Sequence, residues 1–446
     1  MSIRIRELES CFRGVVPATI ATCSPEGVPN VTYLSVVHCL DDERIALSFQ
    51  FFNKTRENIL ANPKAQLLVL EPTTMVQYRI DVEYLHTEHE GPVFERMRTN
   101  LDAVASMTGM TGVFRLQGAD IYRVLRISEL PHDLDLSAPV VAADFLGGLE
   151  ALSARLAQCD ELDAVLDATL GGIAELFDYR HSMLLFADEA GTRLFTVASH
   201  GFASSGVGAE VSFGDGVIGT AALEQKPVTV NNVLVEQTLA DAVQTTARER
   251  GEPIARAHEI ALPGRADAQS QVAVPLLARG RTLGVLCVQS ERAGRFTRAD
   301  EQVLATLARS VATAIQLLGH SGSADAPMPR SYVRRPADGE AMKVRWHACD
   351  DSVFVDDEYL VKGLPGRMLY RLLATCERDG RVDFTLRELR LDESLQVGGQ
   401  RDNLDARLIL LRQRLEERTS DLRIVKTGRG RFRLQLERSF ELRRVE

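Results

Sequence analysis

Residues 401–434 read RDNLDARLILLRQRLEERTSDLRIVKTGRGRFRL. Leu404, Leu408, Leu411 and Leu415 recur at helical spacing and form one apolar stripe. Arg401, Asn403, Arg407, Arg412 and Arg414 lie on or beside the remaining faces. A strand-like run follows from Leu422 to Lys426, then the Gly-punctuated turn Thr427-Gly428-Arg429-Gly430-Arg431, then a second strand from Phe432 to Leu436. The stretch predicts a basic helix followed by a basic β-hairpin.

Around that stretch lies a chain of 446 residues, too long for one ordinary core, so about three domains are expected. Hydrophobic residues make up 45% and charged residues 26%, the balance of a globular protein. No apolar run reaches the roughly 18 residues that span a bilayer, and the opening MSIRIRELES lacks a signal-peptide apolar region. The seven cysteines are scattered, with no C-x-x-C pair, as expected of free thiols in a reducing compartment. A cytoplasmic protein with no membrane partner is therefore expected. From Met328 onward there are 25 Lys and Arg against 21 Asp and Glu, a net +4. The whole chain carries −10, which leaves −14 for the rest. An acidic body with a basic tail suits a tail that approaches phosphate.

Two stretches read as linkers: Ser128 to Asp144, and Ser321 to Met342, rich in Gly, Pro, Ser and Ala. They divide the chain into 1–130, 143–320 and 343–446. The first part shows strand patterns at Thr19–Cys23, Asn30–His38, Ile45–Gln50, Ala65–Leu70 and Tyr78–Leu85, with a hairpin turn at Ser24-Pro25-Glu26-Gly27. Helices are expected at Thr55–Asn62, stopped by Pro63, and at Pro92–Ser106. Many strands and few helices predict an antiparallel barrel or curled sheet. The middle part places five strands between amphipathic helices, 145–177 (broken) and 298–318, an α+β arrangement. The whole is a multidomain α+β protein.

Several motifs bear on chemistry. His86, Glu88 and Glu90 would share one strand face, but no third distant ligand accompanies them, so a solvated strand end is expected and no metal. Gly214-Asp215-Gly216-Val217-Ile218-Gly219 matches G-x-G-x-x-G. Only a short helix fits before Pro227, so a dinucleotide site is not expected. No nucleophile–base–orienter set stands out, so no catalytic residue is named. Asp356-Asp357-Glu358 reads as a turn between strands.

The segments IATCSPEGVPNVTYLS, FQFFNKTRENILANP and GVFRLQGADIYRVL together resemble the flavin-binding split β-barrel family of pyridoxamine-phosphate oxidase relatives. The resemblance implies a phosphate of FMN or a related flavin held by Asn53, Lys54, Thr55, Arg56 and Asn58. It also implies Tyr33 and Ser35 beside the isoalloxazine ring or ribityl chain. Cations and backbone N–H groups at a helix start suit a phosphate. Asn53-Lys54-Thr55 stands where the family usually has Ser-Arg-Lys. The alternatives are haem or another ligand, or an emptied barrel kept for dimerisation. VASHGF at 197–202, the Gly214–Gly219 turn, EQKPVTVNNV at 224–233 and SQVAVPLLARGRTLGVLCVQS at 270–290 resemble a GAF domain, an α/β sandwich whose ligand the sequence does not name. The polar stretch Thr238–Gly264 would close over a pocket or stand as an insertion.

The C-terminal part resembles the OmpR-type winged helix. Leu-Arg-x-Arg-Leu at 411–415 echoes its recognition helix and IVKTGRGRFRL its wing. The resemblance implies that Arg401, Asn403, Arg407, Arg412 and Arg414 meet base edges or flanking phosphates, and that Lys426, Arg429 and Arg431 meet phosphate or the minor groove. A winged helix that binds protein is the other reading. Together these resemblances imply a one-component transcription regulator, a homodimer on DNA, that couples a small-molecule effector to DNA binding. The alternative is an FMN-dependent oxidoreductase with regulatory GAF and winged-helix domains.

Overall fold

The computed structural model describes residues 3–34, 37–49, 54–72, 74–108, 115–131, 144–233, 267–320, 341–395 and 404–445. Period-two alternation builds the N-terminal sheet. Its strands are β1 (Ala18–Cys23), β2 (Pro29–Leu34), β3 (Val37–Cys39), β4 (Arg44–Phe49), β5 (Lys64–Leu70), β6 (Gln77–Glu88) and β7 (Gly118–Glu129). They pair antiparallel in the order β2-β1-β5-β6-β7-β4-β3. β1 buries Ala18, Ile20 and Thr22, and β5 buries Ala65, Leu67 and Val69. Full burial of a side chain such as Leu67 or Ile80 contributes roughly 1.5–3 kcal/mol. A 3-10 helix, Ile5–Phe12, adds Ile5, Leu8 and Cys11 to this core. Residues 30–38, expected as one strand, supply β2 and β3 at opposite edges of the sheet. Register shifts at Asp81/Val82 and Tyr84/His86 bend the long β6–β7 ladder, as bulges do. The expected hairpin turn is present, with the Gly27 N–H donating to the Ser24 carbonyl at 3.0 Å. Helices α1 (Lys54–Ala61) and α2 (Pro92–Met107) complete this part.

The middle part holds α3 (Phe145–Ala157), α4 (Leu162–Phe177), β8 (His181–Ala187), β9 (Arg193–His200), β10 (Glu210–Ser212), α5 (Gly216–Glu224), β11 (Val228–Val230), β12 (Ser270–Ala278), β13 (Arg281–Ser290) and α6 (Arg298–His320). Its six strands run β10-β9-β8-β13-β12-β11. Both faces are covered, so β8 reads as a continuous apolar run. Leu184, Phe186, Val274 and Leu286 join the core shared with α3, α4 and α6. Met183, Leu185, Val285 and Cys287 face α5. Ala103, Val104 and Met107 of α2 pack into that second cluster, so a helix of the N-terminal part covers one face of the middle domain. Gly219 of the glycine motif is a packing residue, since a Cβ there would lie 2.2 Å from the Ser212 carbonyl oxygen.

The last part comprises β14 (Met342–His347), β15 (Ser352–Val355), β16 (Glu358–Val361), α7 (Leu364–Asp379), β17 (Asp383–Thr385), α8 (Leu386–Leu391), α9 (Leu404–Arg418), β18 (Leu422–Gly428), β19 (Arg431–Leu436) and β20 (Phe440–Val445). Strands order as β16-β15-β14-β20 and β17-β19-β18. β14 and β20 pair in parallel and tie the two ends of this domain together. Asp356 and Asp357 form the turn between β15 and β16. Thr385 and Glu388 form a capping box on α8, each side chain satisfying the other's backbone N–H. On α9, Leu404, Leu411 and Leu415 are buried as the stripe predicts, and Leu408 is half-buried. Ala406, Ile409 and Leu410 are buried too, a wider apolar face than one stripe supplies. Its cause is that α9 also packs against β9 and α4 of the middle domain. Among the described residues no helix is long and apolar enough to cross a membrane.

Candidate functional site

In the N-terminal part, α1 starts at Lys54 and packs on β1 and β2. The Asn58 amide is buried and donates to Thr22 Oγ1 at 3.1 Å. The Asn30 amide donates to Thr55 Oγ1 at 2.8 Å. These bonds lock the helix onto the sheet, and they give Asn58 a structural role rather than the phosphate contact that the resemblance implies. Arg56 also points elsewhere. Its guanidinium pairs with Asp120 at 2.5 Å and stacks over Phe49 and Tyr84, 4.7 and 5.5 Å from the ring centroids. Thr87 Oγ1 donates to the same carboxylate oxygen of Asp120 at 2.6 Å. Burial pushes the Asp120 carboxyl up, against the pull of Thr87 and Arg56. An arginine so committed is not presented to a phosphate. Lys54 is exposed beside Glu57 at 3.3 Å, and Tyr33 is 78% exposed on β2. Ser35 and Asn53 lie outside the described residues. Of the cations expected at a phosphate, Lys54 is thus exposed at the start of α1, whereas Arg56 is committed to Asp120.

The N-terminal and middle parts meet through α2. Ser106 Oγ donates to the Gly214 carbonyl at 2.9 Å and accepts from the Gly216 N–H at 2.8 Å, so it caps α5 from another domain. The Arg98 guanidinium bridges Glu95 and Glu224 at 2.8 Å each and Asp102 at 3.0 Å. Arg96 pairs with Glu301 at 2.9 Å. None of these contacts is visible in sequence patterning.

Beside the middle sheet lies a cavity of about 360 Å³, with Tyr179, Arg180, His181, Gln289, Arg292 and Arg295 in its wall. Arg295 is already held by Asp300 at 3.0 Å and by the Phe177 carbonyl at 3.2 Å. The stretch Thr238–Gly264 lies outside the described residues, and among those described no three His, Cys, Asp or Glu side chains gather as metal ligands. His86 sits 3.5 Å from Glu88 at the exposed end of β6.

The C-terminal cations are brought together, and most of them meet protein. Arg407 stacks over Phe195 of β9, 3.5 Å from the ring centroid. Arg412 forms a two-pronged pair with Asp163 of α4, at 3.0 and 3.3 Å. Lys426 pairs with Glu161 and lies 3.4 Å from Asp163. Arg414 donates to the Leu360 carbonyl at 3.1 Å and pairs with Glu417 at 3.3 Å. Arg429 is exposed and Arg431 half-buried at the tip of the β18–β19 hairpin. Arg401 and Asn403 lie outside the described residues. In this arrangement Arg407 and Arg412 face the middle domain, and Lys426 reaches its carboxylates while still partly exposed. The acidic run Asp160-Glu161-Leu162-Asp163 was the sequence signal for that partner, and only charge complementarity could have found it.

Comparison with known proteins matches residues 5–124 to the pyridoxamine 5'-phosphate oxidase family model and residues 159–316 to the GAF domain model. An uncharacterized protein of Methanocaldococcus jannaschii is 41% identical over 68 residues, 15% of this chain. The chain spans about half, 46%, of that relative's length. An FMN-binding protein from Syntrophomonas wolfei is 22% identical, covering 28% of this chain and 88% of that one, with a TM-score of 0.24. The GAF domain of a phosphoenolpyruvate-protein phosphotransferase from Coxiella burnetii is 21% identical, covering 39% and 94%, with a TM-score of 0.32. The chain carries a pyridoxamine 5'-phosphate oxidase-like N-terminal domain followed by a GAF domain.

Proposed function

We propose that the protein is a one-component transcription regulator. In this reading the N-terminal domain holds a flavin, the GAF domain takes a small-molecule effector, and residues 343–446 are a winged helix that binds DNA. The observation that carries the reading is the layout of the last domain. Helices α7, α8 and α9 are followed directly by the β18–β19 hairpin, with basic residues on both the third helix and the hairpin. A helix of this kind fits the major groove and the hairpin the flanking phosphates or minor groove. The flavin part of the reading rests on the family match and on Lys54 at the start of α1. A flavin bound there would supply redox sensitivity. Tyr33 would flank its ring, and α1 would fix its phosphate.

The regulator acts as a homodimer in this proposal, since DNA half-sites come in pairs. Val31 and Tyr33 on one face of edge strand β2 are 64% and 78% exposed, an apolar pair suited to a second copy. Absorption at flavin wavelengths in the purified full chain tests the cofactor. Lys54→Ala is expected to lower flavin retained per chain severalfold with an unchanged unfolding temperature, and equal occupancy in both proteins would remove the site.

A further inference from the structure

Among the GAF-side partners of the basic domain, two carboxylates and an aromatic ring each hold a residue that the proposed function assigns to DNA. Asp163 accepts both prongs of Arg412. Glu161 and Asp163 together hold Lys426. Phe195 carries the Arg407 guanidinium on its face, as a base or sugar would. Ser205 of the GAF domain also bonds Glu417 at the end of α9. The bidentate pair takes the parallel N–H fork that Arg412 would offer a phosphate and puts a negative charge where that phosphate would sit.

We propose that this contact is autoinhibitory: the GAF domain occupies the α9 and β18 face with carboxylates that stand in for DNA phosphates, and DNA binding requires the two domains to separate. The proposal rests on the DNA-binding reading and adds to it the regulation of that same face. The ion pairs are built to open. The side chains of Arg412 and Asp163 remain 25% and 24% exposed and that of Lys426 37%, so water and salt reach the pairs and weaken them. Asp163 and Glu161 flank the start of α4, whose other end, Phe177, adjoins the cavity-lining Asp178 and accepts from Arg295 through its carbonyl. One rigid helix thus spans from a ligand-sized cavity to the docking pairs. An effector opens the contact only if it binds the separated arrangement better.

The test uses the full chain and a fluorescein-labelled mixed-sequence duplex. Asp163→Lys reverses the charge facing Arg412, Asp163→Asn removes it with little change of shape, and Glu150→Lys on α3 makes the same net-charge change away from these contacts. Hydrogen exchange over 404–418 reads docking, and anisotropy reads duplex binding. The proposal expects faster exchange in both Asp163 variants and duplex affinity roughly tenfold or more above wild type, with Glu150→Lys unchanged in both. Exchange that does not rise overturns the docking contact. Faster exchange with wild-type duplex affinity overturns occlusion while the DNA reading stands. Faster exchange with no duplex binding by any of the proteins at low salt removes the DNA reading, and occlusion with it.

Discussion

Asp300 shows how a buried charge is kept in this protein. Burial pushes its carboxyl up, yet hydrogen bonds from Thr297 and Tyr179, with Arg295 alongside, outweigh that and hold it below the usual carboxylate range. The Tyr179 hydroxyl donates at 2.6 Å and Arg295 pairs at 3.0 Å. Removing the carboxylate leaves Arg295 and a buried hydroxyl without their partner. Asp300→Ala is therefore expected to cost about 3–5 kcal/mol in urea unfolding, and a loss under 1 kcal/mol would contradict the network. His38 works in the opposite chemical direction. Its Nε2 is shut off from solvent and, among the described residues, has no hydrogen-bond partner. Burial, then Arg96 and Arg298, lower its pKa to about 4. The unfolded histidine takes up a proton near pH 6.5 and the folded one does not, so stability is expected to fall as pH drops from about 6.5 to about 4. His38→Gln should flatten that slope in thermal unfolding between those pH values; an unaltered slope would assign it to other groups.

At the scale of elements, most of the helices and strands were legible because each follows one clean period. α2, α6 and β12–β13 lie within a few residues of their sequence expectations. β10 and β17 were missed because, unlike the Val-Thr-Val of β11, their three residues mix charge or hydroxyls with single apolar side chains, and β20 because the doublet Arg443-Arg444 breaks its alternation. In the GxGxxG stretch Gly219 packs against the Ser212 carbonyl, and the partner Ser106 was invisible: the hydroxyl comes from a helix 108 residues earlier. Ser106→Ala removes both an acceptor for the Gly216 N–H and a donor to the Gly214 carbonyl, and should cost about 1–2 kcal/mol. Because the bond joins two domains, the loss should appear as earlier unfolding of both in calorimetry. An unshifted transition would mean α2 and α5 are held by their apolar contacts alone.

At the scale of the whole molecule, the stretches 128–144, with two prolines, and 321–342, rich in Gly and Pro, led to the expectation of three parts, and the family matches fall inside the first two of them. The candidate sites were less legible. Lys54 stands at a helix start as expected, whereas Arg56 turns inward to Asp120, a partner 64 residues away. Likewise the basic tail and the acidic body were visible as opposite net charges, but not as surfaces pressed against one another through Arg412 and Asp163. Sequence spacing reports which face of a helix a residue occupies, and the fold alone decides what that face meets. The central claim is that the C-terminal arginines serve a polyanion once they are released. Its most direct test is the salt dependence of duplex binding by the full chain carrying Asp163→Lys. Five cations on α9 and the hairpin, Arg407, Arg412, Lys426, Arg429 and Arg431, predict a log–log slope approaching about −4. A flat dependence, or no binding at the lowest salt, would contradict it.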